Sequence, residues 1–96
     1  MQFEMVGVLR GCHYDEETYQ LEIYVDAGLK VLTAYVHNAY RENETELDRL
    51  VGKWVSIKGF YYKGQNIAQY VAFNIKNKNV IREEQIILAS FLNSKI

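Results

Sequence analysis

The chain has 96 residues, of which 49% are hydrophobic and 24% charged, and its formal net charge is −1. This composition is that of one small globular domain, and it excludes a membrane-spanning helix because no apolar run approaches about 18 residues. The single cysteine, Cys12, excludes an internal disulfide bond and is typical of a reducing compartment, so we expect a cytoplasmic protein with no membrane association.

Charge is divided unevenly along the chain. Residues 1–50 carry four Lys or Arg and ten Asp or Glu, whereas residues 51–96 carry seven and two. No acidic residue interrupts the segment from Lys53 to Arg82. This division indicates one surface for an anion and another for a different partner, although chance clustering on a solvated surface gives the same pattern.

The first half of the chain has the pattern of three strands. Residues 2–10 form an apolar run that can bend at Gly7, residues 11–18 are polar and predict a loop, and residues 19–26 and 30–37 alternate as a hairpin around a short glycine turn. The predicted inward side chains are Tyr19, Leu21, Ile23, Val25, Leu32, Ala34 and Val36.

The second half predicts a short helix, two strands and a terminal helix. A capping-box pattern at Asn43 and Glu46, or at Thr45 and Asp48, begins a helix that Gly52 ends. Two alternating strands follow, separated by a turn over residues 63–66, and a polar break comes at residues 76–79. From about Glu83 the sequence favours a helix with a broad apolar face. The predicted inward residues of this half are Val55, Ile57, Tyr61, Ile67, Val71, Phe73 and Ile75 in the strands, and Ile86, Ile87, Leu88, Phe91 and Leu92 in the terminal helix.

This order predicts a mainly β protein: a five-stranded OB-fold barrel over residues 1–79, with a short helix after its third strand, and a C-terminal helix over residues 80–96. Closing the sheet removes exposed edges. The terminal helix packs on the barrel, where it would cover Trp54, or forms the seam of a homodimer.

Four stretches carry a resemblance to a known family: GVLRG (7–11), YQLEIYVDAGLKVLTAYVHN (19–38), LVGKWVSIKGF (50–60) and YVAFNI (70–75). Over roughly residues 3–76 the chain resembles OB-fold nucleic-acid-binding proteins of the single-stranded DNA-binding and primosomal replication type. The resemblance implies a ligand that lies across the second and third strands and is gripped by the loops joining strands 1–2 and 4–5. The chain departs from the family in its acidic first loop and in lacking an acidic tail.

Aromatic and basic residues on the outward faces supply the candidate site. Tyr24 and Tyr35 face outward on the hairpin, where they can stack on bases or can simply pair across strands. Lysines alternate with a second outward aromatic set in the fourth strand, as a groove for phosphates and bases requires. The predicted nucleic-acid-binding residues are Tyr24, Tyr35, His37, Lys58, Phe60, Tyr62 and Lys63.

No pattern of catalysis or of metal binding is present in the sequence. Cys12, His13 and His37 lack the spacing of a zinc site, and there is no phosphate-binding loop, nucleophile elbow or paired-carboxylate motif, so we expect no enzyme activity, cofactor or metal. We expect a protein that binds single-stranded DNA, with RNA left open, in replication or recombination, and with a replication protein as a possible further partner. The alternatives are a protein–protein adaptor on the same fold and a structural subunit of a larger assembly.

Overall fold

The computed structural model describes residues 1–88, which form six strands and one helix. The mainly β prediction is confirmed. The elements are β1 (Gln2–Asp15), β2 (Gln20–Asp26), β3 (Val31–Val36), α1 (Arg41–Asp48), β4 (Trp54–Tyr62), β5 (Gln65–Asn77) and β6 (Val80–Ile87).

The strands form one sheet in the order β3-β2-β1-β4-β5-β6. All neighbours in this order are antiparallel. A further, parallel pairing joins β3 to β5 through Tyr35 and Ile67. Five strands therefore follow one another in a closed ring of pairings, β1-β2-β3-β5-β4, and β6 extends the sheet beyond β5.

The core lies inside this ring and follows the predicted alternation in β2, β3 and the first half of β4. Each buried aliphatic side chain contributes about 1.5–3 kcal/mol relative to an exposed one. The helix adds Leu47, and Leu50 follows in the turn after it. The predicted core residues that are buried in these elements are Leu21, Ile23, Val25, Ala34, Val36, Val55 and Ile57.

Two glycines lie where neighbouring backbones approach too closely for any side chain. A Cβ added to Gly59 would lie 1.8 Å from the carbonyl oxygen of Ile67, and one added to Gly7 would lie 2.2 Å from that of Asp26. Real Cβ atoms do not come so close to an oxygen, so both positions require glycine.

The predicted loop over residues 11–18 is wrong because β1 continues through it to Asp15. The register between β1 and β2 shifts between Leu9 and Gly11, and this irregularity lets the strand bend and continue instead of ending. The connection to β2 is limited to residues 16–19. Tyr19, predicted to point inward, is exposed in this turn with a left-handed φ of 58°.

Helix α1 begins earlier than predicted, and Asn43 is not its cap. The N-cap position is Tyr40, which makes no side-chain cap hydrogen bond. Asn43 is buried in the first turn, where its Nδ2 lies 3.3 Å from Glu46 Oε1. The prediction that Gly52 ends the helix is wrong, because α1 ends at Asp48 with Arg49 as its C-cap, and Gly52, in the left-handed region at φ 89°, lies in the turn beyond it. The described part of the chain contains no helix long and apolar enough to span a membrane.

The predicted C-terminal helix is wrong for residues 80–87, which form β6 antiparallel to β5. Ile86 is buried opposite Val71, whereas the adjacent Ile87 is exposed, as strand alternation requires. The rest of the predicted helix, with Phe91 and Leu92, lies outside the described residues. Trp54, predicted to lie beneath that helix, is 68% exposed in the structure.

The inward and outward pattern of β4 fails after Lys58. Opposite it, β5 carries one extra residue between the partners of Lys58 and Gly59, which are Tyr70 and Ala68. Phe60, predicted to point outward, is nevertheless only 8% exposed, and it lies opposite Gln2 of β1 and Ile67 of β5. Tyr61, predicted inward, is exposed, and so is Ile75 at the far end of β5.

Candidate nucleic-acid interface

The pairing of β3 with β5 brings together two groups of predicted site residues that are about 25 positions apart in the chain. Tyr35 of β3 lies opposite Ile67 of β5, and Tyr62 of β4 lies opposite Gln65 at the start of β5. His37 follows β3, and its Nε2 lies 2.8 Å from Gln65 Oε1. Because a carbonyl oxygen accepts, the imidazole donates in this hydrogen bond. The contact fixes the end of β3 against the β4–β5 turn.

Lys63 extends this surface at the turn. It adopts a left-handed φ of 48° beside Gly64, which also has a positive φ. Its ammonium nitrogen lies 5.3 Å from the centroid of the Tyr62 ring, within the range of a cation–π interaction. The exposed cation and the half-buried ring therefore occupy one place on the surface. A phosphate and the base attached to it need these two groups together.

Tyr24 and Tyr35 lie on the outward face of β2 and β3, as predicted, with Glu22 between them. Glu22 lies directly opposite Tyr35, and it accepts a hydrogen bond of 2.5 Å from the Tyr24 hydroxyl. That hydrogen bond, aided by desolvation, raises the pKa of Tyr24 to about 12. The carboxylate repels phosphates at this point, but it can accept hydrogen bonds from amino groups on base edges.

Lys58 and Phe60 do not belong to this group. The Lys58 ammonium lies 3.6 Å from Glu4 Oε2, a carboxylate that also accepts a 2.7 Å hydrogen bond from Ser56 Oγ. Across the strands its neighbours are Glu4 and Tyr70, which form another row of the sheet. Phe60 is buried, so it has no face left for a base. Five predicted site residues remain together and define what we call the tyrosine surface: Tyr24, Tyr35, His37, Tyr62 and Lys63.

Sequence patterns missed Glu22 and Gln65. Glu22 is outward in the predicted alternation, and its position close to two outward tyrosines could have marked it as part of the same face. Gln65 could be found only once β3 and β5 were known to pair, because nothing in the local sequence distinguishes it from an ordinary turn residue. Two arginines outside the predicted site, Arg10 and Arg82, form ion pairs with Asp26 and Glu84.

Within residues 1–88, no three His, Cys, Asp or Glu side chains are grouped so that they could hold a metal ion. Comparison of the chain with protein-family models, with curated proteins and with solved structures finds no match. The geometry of the described residues is therefore the basis for a functional proposal.

Proposed function

We propose that the chain is an OB-fold barrel that binds single-stranded nucleic acid across the outward surface of β2, β3 and the β4–β5 turn. The observation that carries this proposal is the contact between His37 and Gln65, together with the Tyr35–Ile67 pairing. These interactions make one surface of the tyrosines on β2 and β3 and the Tyr62–Lys63 pair. A single-strand groove combines stacking platforms with cations in this manner.

In this mechanism bases stack on Tyr35 and Tyr62, and Tyr24 provides a third ring. Base–aromatic stacking contributes about 1–3 kcal/mol per base and tolerates every base. Lys63 binds a phosphate, and Glu22 accepts from base amino groups. DNA is the proposed ligand, and the resemblance to replication proteins supports a role in replication or recombination. Nothing at the surface is placed to distinguish a 2′-hydroxyl, so RNA serves as the comparison ligand.

Charge limits the affinity. Lys63 is the one cation among the five residues of the tyrosine surface, Glu22 opposes it, and the net charge of the chain is −1. Each phosphate neutralised on a single strand adds about −0.7 to the slope of log K against log salt. We therefore expect weak binding with a shallow salt dependence, because stacking supplies most of the binding energy.

The test is fluorescence anisotropy of a labelled oligodeoxythymidine of about 30 nucleotides, longer than the site of a single OB fold. We expect Tyr35→Ala and Tyr62→Ala each to weaken binding roughly tenfold, the equivalent of about 1.4 kcal/mol. Tyr61→Ala is the matched control, because Tyr61 is exposed beside Tyr62 but pairs with Asn66 instead of Gln65. Equal effects of all three substitutions, or no binding at low salt, would refute the proposal.

Acidic residues on and near the tyrosine surface favour a second candidate function, that of a protein-binding adaptor on the same fold. Glu22 lies beside Tyr24 and Tyr35, and Asp15, Glu16 and Glu17 lie at the β1–β2 turn that grips ligand in the family. Acidic side chains suit a basic protein segment better than a phosphate backbone. Substitution of Glu22 by Gln distinguishes the two functions. It strengthens or preserves binding of oligodeoxythymidine, whose bases have no amino group for Glu22 to accept from, but it weakens binding of a basic partner.

A further inference from the structure

Within residues 1–88, β6 is the outermost strand of the sheet on the β5 side. Among the described residues it pairs with β5 alone, over its whole length from Val80 to Ile87. Proteins protect such edges with prolines, bulges or lysines. The chain contains no proline, β6 contains no lysine, and its register with β5 is continuous. Its charged residues, Arg82, Glu83 and Glu84, are of both signs, so this edge remains a template for a strand whose charges complement them.

The side chains of β6 also carry more apolar surface than an edge in water needs. Val80 is 64% exposed, Ile81 67% and Ile87 61%. These residues lie at the two ends of the strand, and the three charged residues between them, Arg82, Glu83 and Glu84, occupy its centre. A strand with apolar ends and a charged centre can match a reversed copy of itself.

The order of the charged residues in β6 identifies a second copy of β6 as the partner strand, and it sets the register of the pairing. A twofold axis perpendicular to the sheet makes two β6 strands antiparallel, and residues that face each other must then lie on the same face of the sheet. With the axis at Glu83, Arg82 lies opposite Glu84 of the second copy, and the symmetry repeats this pair. Within one chain Arg82 Nη2 already lies 2.8 Å from Glu84 Oε1, so the two side chains share a face.

The neighbouring registers are less favourable. An axis at Arg82 places Arg82 opposite itself and Val80 opposite Glu84. An axis at Glu84 places Ile81 opposite Ile87, but it leaves Arg82 opposite Ile86 and Glu84 opposite itself. The axis at Glu83 instead places Val80 opposite Ile86 of the second copy, and it places Ile81 diagonally beside Ile87, within the reach of long side chains. The self-opposed Glu83 and the mismatch of Ile81 with Gln85 oppose this register.

We propose that the chain forms a symmetric homodimer in which β6 pairs antiparallel with β6 of a second copy about an axis at Glu83. Two Arg82–Glu84 pairs set the register, and the apolar strand ends are covered. The two rings of strands then belong to one continuous sheet. This interface does not involve the tyrosine surface, so its test is independent of nucleic-acid binding.

Sedimentation equilibrium of the full chain, over a range of concentrations, tests the charge pairing. We expect Arg82→Glu and Glu84→Arg each to weaken dimerisation at least about tenfold, because each places like charges opposite one another twice. A mixture of the two variants restores the dimer, because the Arg82→Glu chain presents acids where the Glu84→Arg chain presents arginines. Lys30→Glu, an equal change of charge in the exposed β2–β3 turn, leaves dimerisation unchanged.

Disulfide trapping tests the register. In the proposed dimer a cysteine at position 83 faces its own copy at the Cα separation that a disulfide requires, about 4.4–6.8 Å. We therefore expect Glu83→Cys to cross-link under mild oxidation and Gln85→Cys to cross-link poorly, because position 85 faces position 81. Glu83→Thr removes the opposed carboxylates and tightens the dimer. A monomer at all concentrations, or a dimer unaffected by both charge reversals, would overturn the proposal.

Discussion

Cys12 is held as a neutral thiol by its surroundings. Its Sγ lies 3.6 Å from Asp48 Oδ1 and 3.8 Å from the Glu44 carbonyl oxygen, both in α1. Burial, followed by the charge and hydrogen bond of Asp48, raises the pKa of the thiol to about 12. Because the thiolate is the reactive form, we expect the native thiol to react slowly at neutral pH.

Alkylation of Cys12 by iodoacetamide at pH 8 should therefore be at least about tenfold slower in the native protein than in the protein unfolded by urea. Asp48→Asn removes the nearby charge, lowers the pKa of the thiol and accelerates the native reaction. Glu42→Gln is the matched control, because it removes an acid of the same helix that is not a hydrogen-bond partner of the thiol. Equal rates for the native and unfolded protein would contradict this assignment.

The same shift predicts how stability changes at alkaline pH. The unfolded thiol loses its proton near pH 9, whereas the folded thiol retains it until about pH 12. Between these values the unfolded state binds fewer protons, so the free energy of unfolding falls as pH rises. Urea titrations from pH 8 to pH 11 should show a smaller decline for Cys12→Ser than for the unaltered chain. Parallel declines would show that other groups account for the alkaline loss.

Gly59 should not tolerate even the smallest side chain, because its added Cβ would lie 1.8 Å from the Ile67 carbonyl oxygen. We expect Gly59→Ala to lower the free energy of unfolding by about 2–3 kcal/mol or more, through displacement of β5 from β4. Gly11→Ala is the control, because an added Cβ there has no atom within 4 Å. That change should be neutral or raise stability by up to about 1 kcal/mol. Urea unfolding measures both, and equal effects would contradict the close approach.

Two adjacent isoleucines in β6 can show whether this segment is a strand or a helix. Ile86 is 9% exposed and Ile87 is 61% exposed. Ile86→Ala should therefore cost about 2–5 kcal/mol, and Ile87→Ala should change stability by less than about 0.5 kcal/mol. Thermal or urea unfolding at low micromolar concentration measures both in the monomer. Similar losses from the two substitutions would favour the helix that the sequence predicts, in which both side chains share the apolar face.

The sequence predicts those elements in which one periodicity dominates. In β2 the alternation of Leu21, Ile23 and Val25 with outward residues has one interpretation, and their burial follows. The stretch from Glu83 to Leu88 fits both a strand and a helix, because its apolar residues are consecutive and its acids suit a helix N-terminus. Its conformation is decided by pairing with β5, which local patterns do not contain.

The candidate site is predicted only in part, because some of its residues follow from local alternation and others depend on strand pairing that local patterns do not contain. Tyr24 and Tyr35 follow from alternation, and Tyr62 and Lys63 from the turn. The burial of Phe60 opposite Ile67 could not be predicted, because it depends on how β4 pairs with β5, which the sequence of β4 does not contain. The acid beside Lys58, Glu4, is 54 positions away in the chain and reaches it only through the β1–β4 register.

The closed ring of strand pairings is weakest where β3 pairs with β5, and we call this pairing the β3–β5 joint. β3 and β5 meet at a single residue pair, Tyr35 and Ile67, whereas β1 and β4 pair continuously from Gln2 to Val8. Local opening requires least free energy where the fewest hydrogen bonds must break. The joint also lies within the proposed interface, beside the His37–Gln65 contact.

Hydrogen exchange should therefore be faster for amides at the β3–β5 joint than for those between β1 and β4. A single-stranded oligonucleotide that lies across the joint should slow exchange there, because it binds the closed form and not the open one. Exchange measured by mass spectrometry, with and without oligodeoxythymidine, tests this expectation. Uniform protection in the free protein would contradict a weak joint, and slowing confined to other strands would place the ligand elsewhere.

The two glycines at which backbones nearly touch have a consequence for the ancestry of the chain. Selection for folding acts on Gly7 and Gly59 independently of any ligand, because a side chain at either position meets a backbone oxygen. The tyrosines and Lys63 are free to diverge whenever the ligand changes. Distant relatives should therefore retain a glycine in the first strand and another in the fourth, even where every aromatic residue has been replaced, and these two positions are the ones by which such relatives can be aligned.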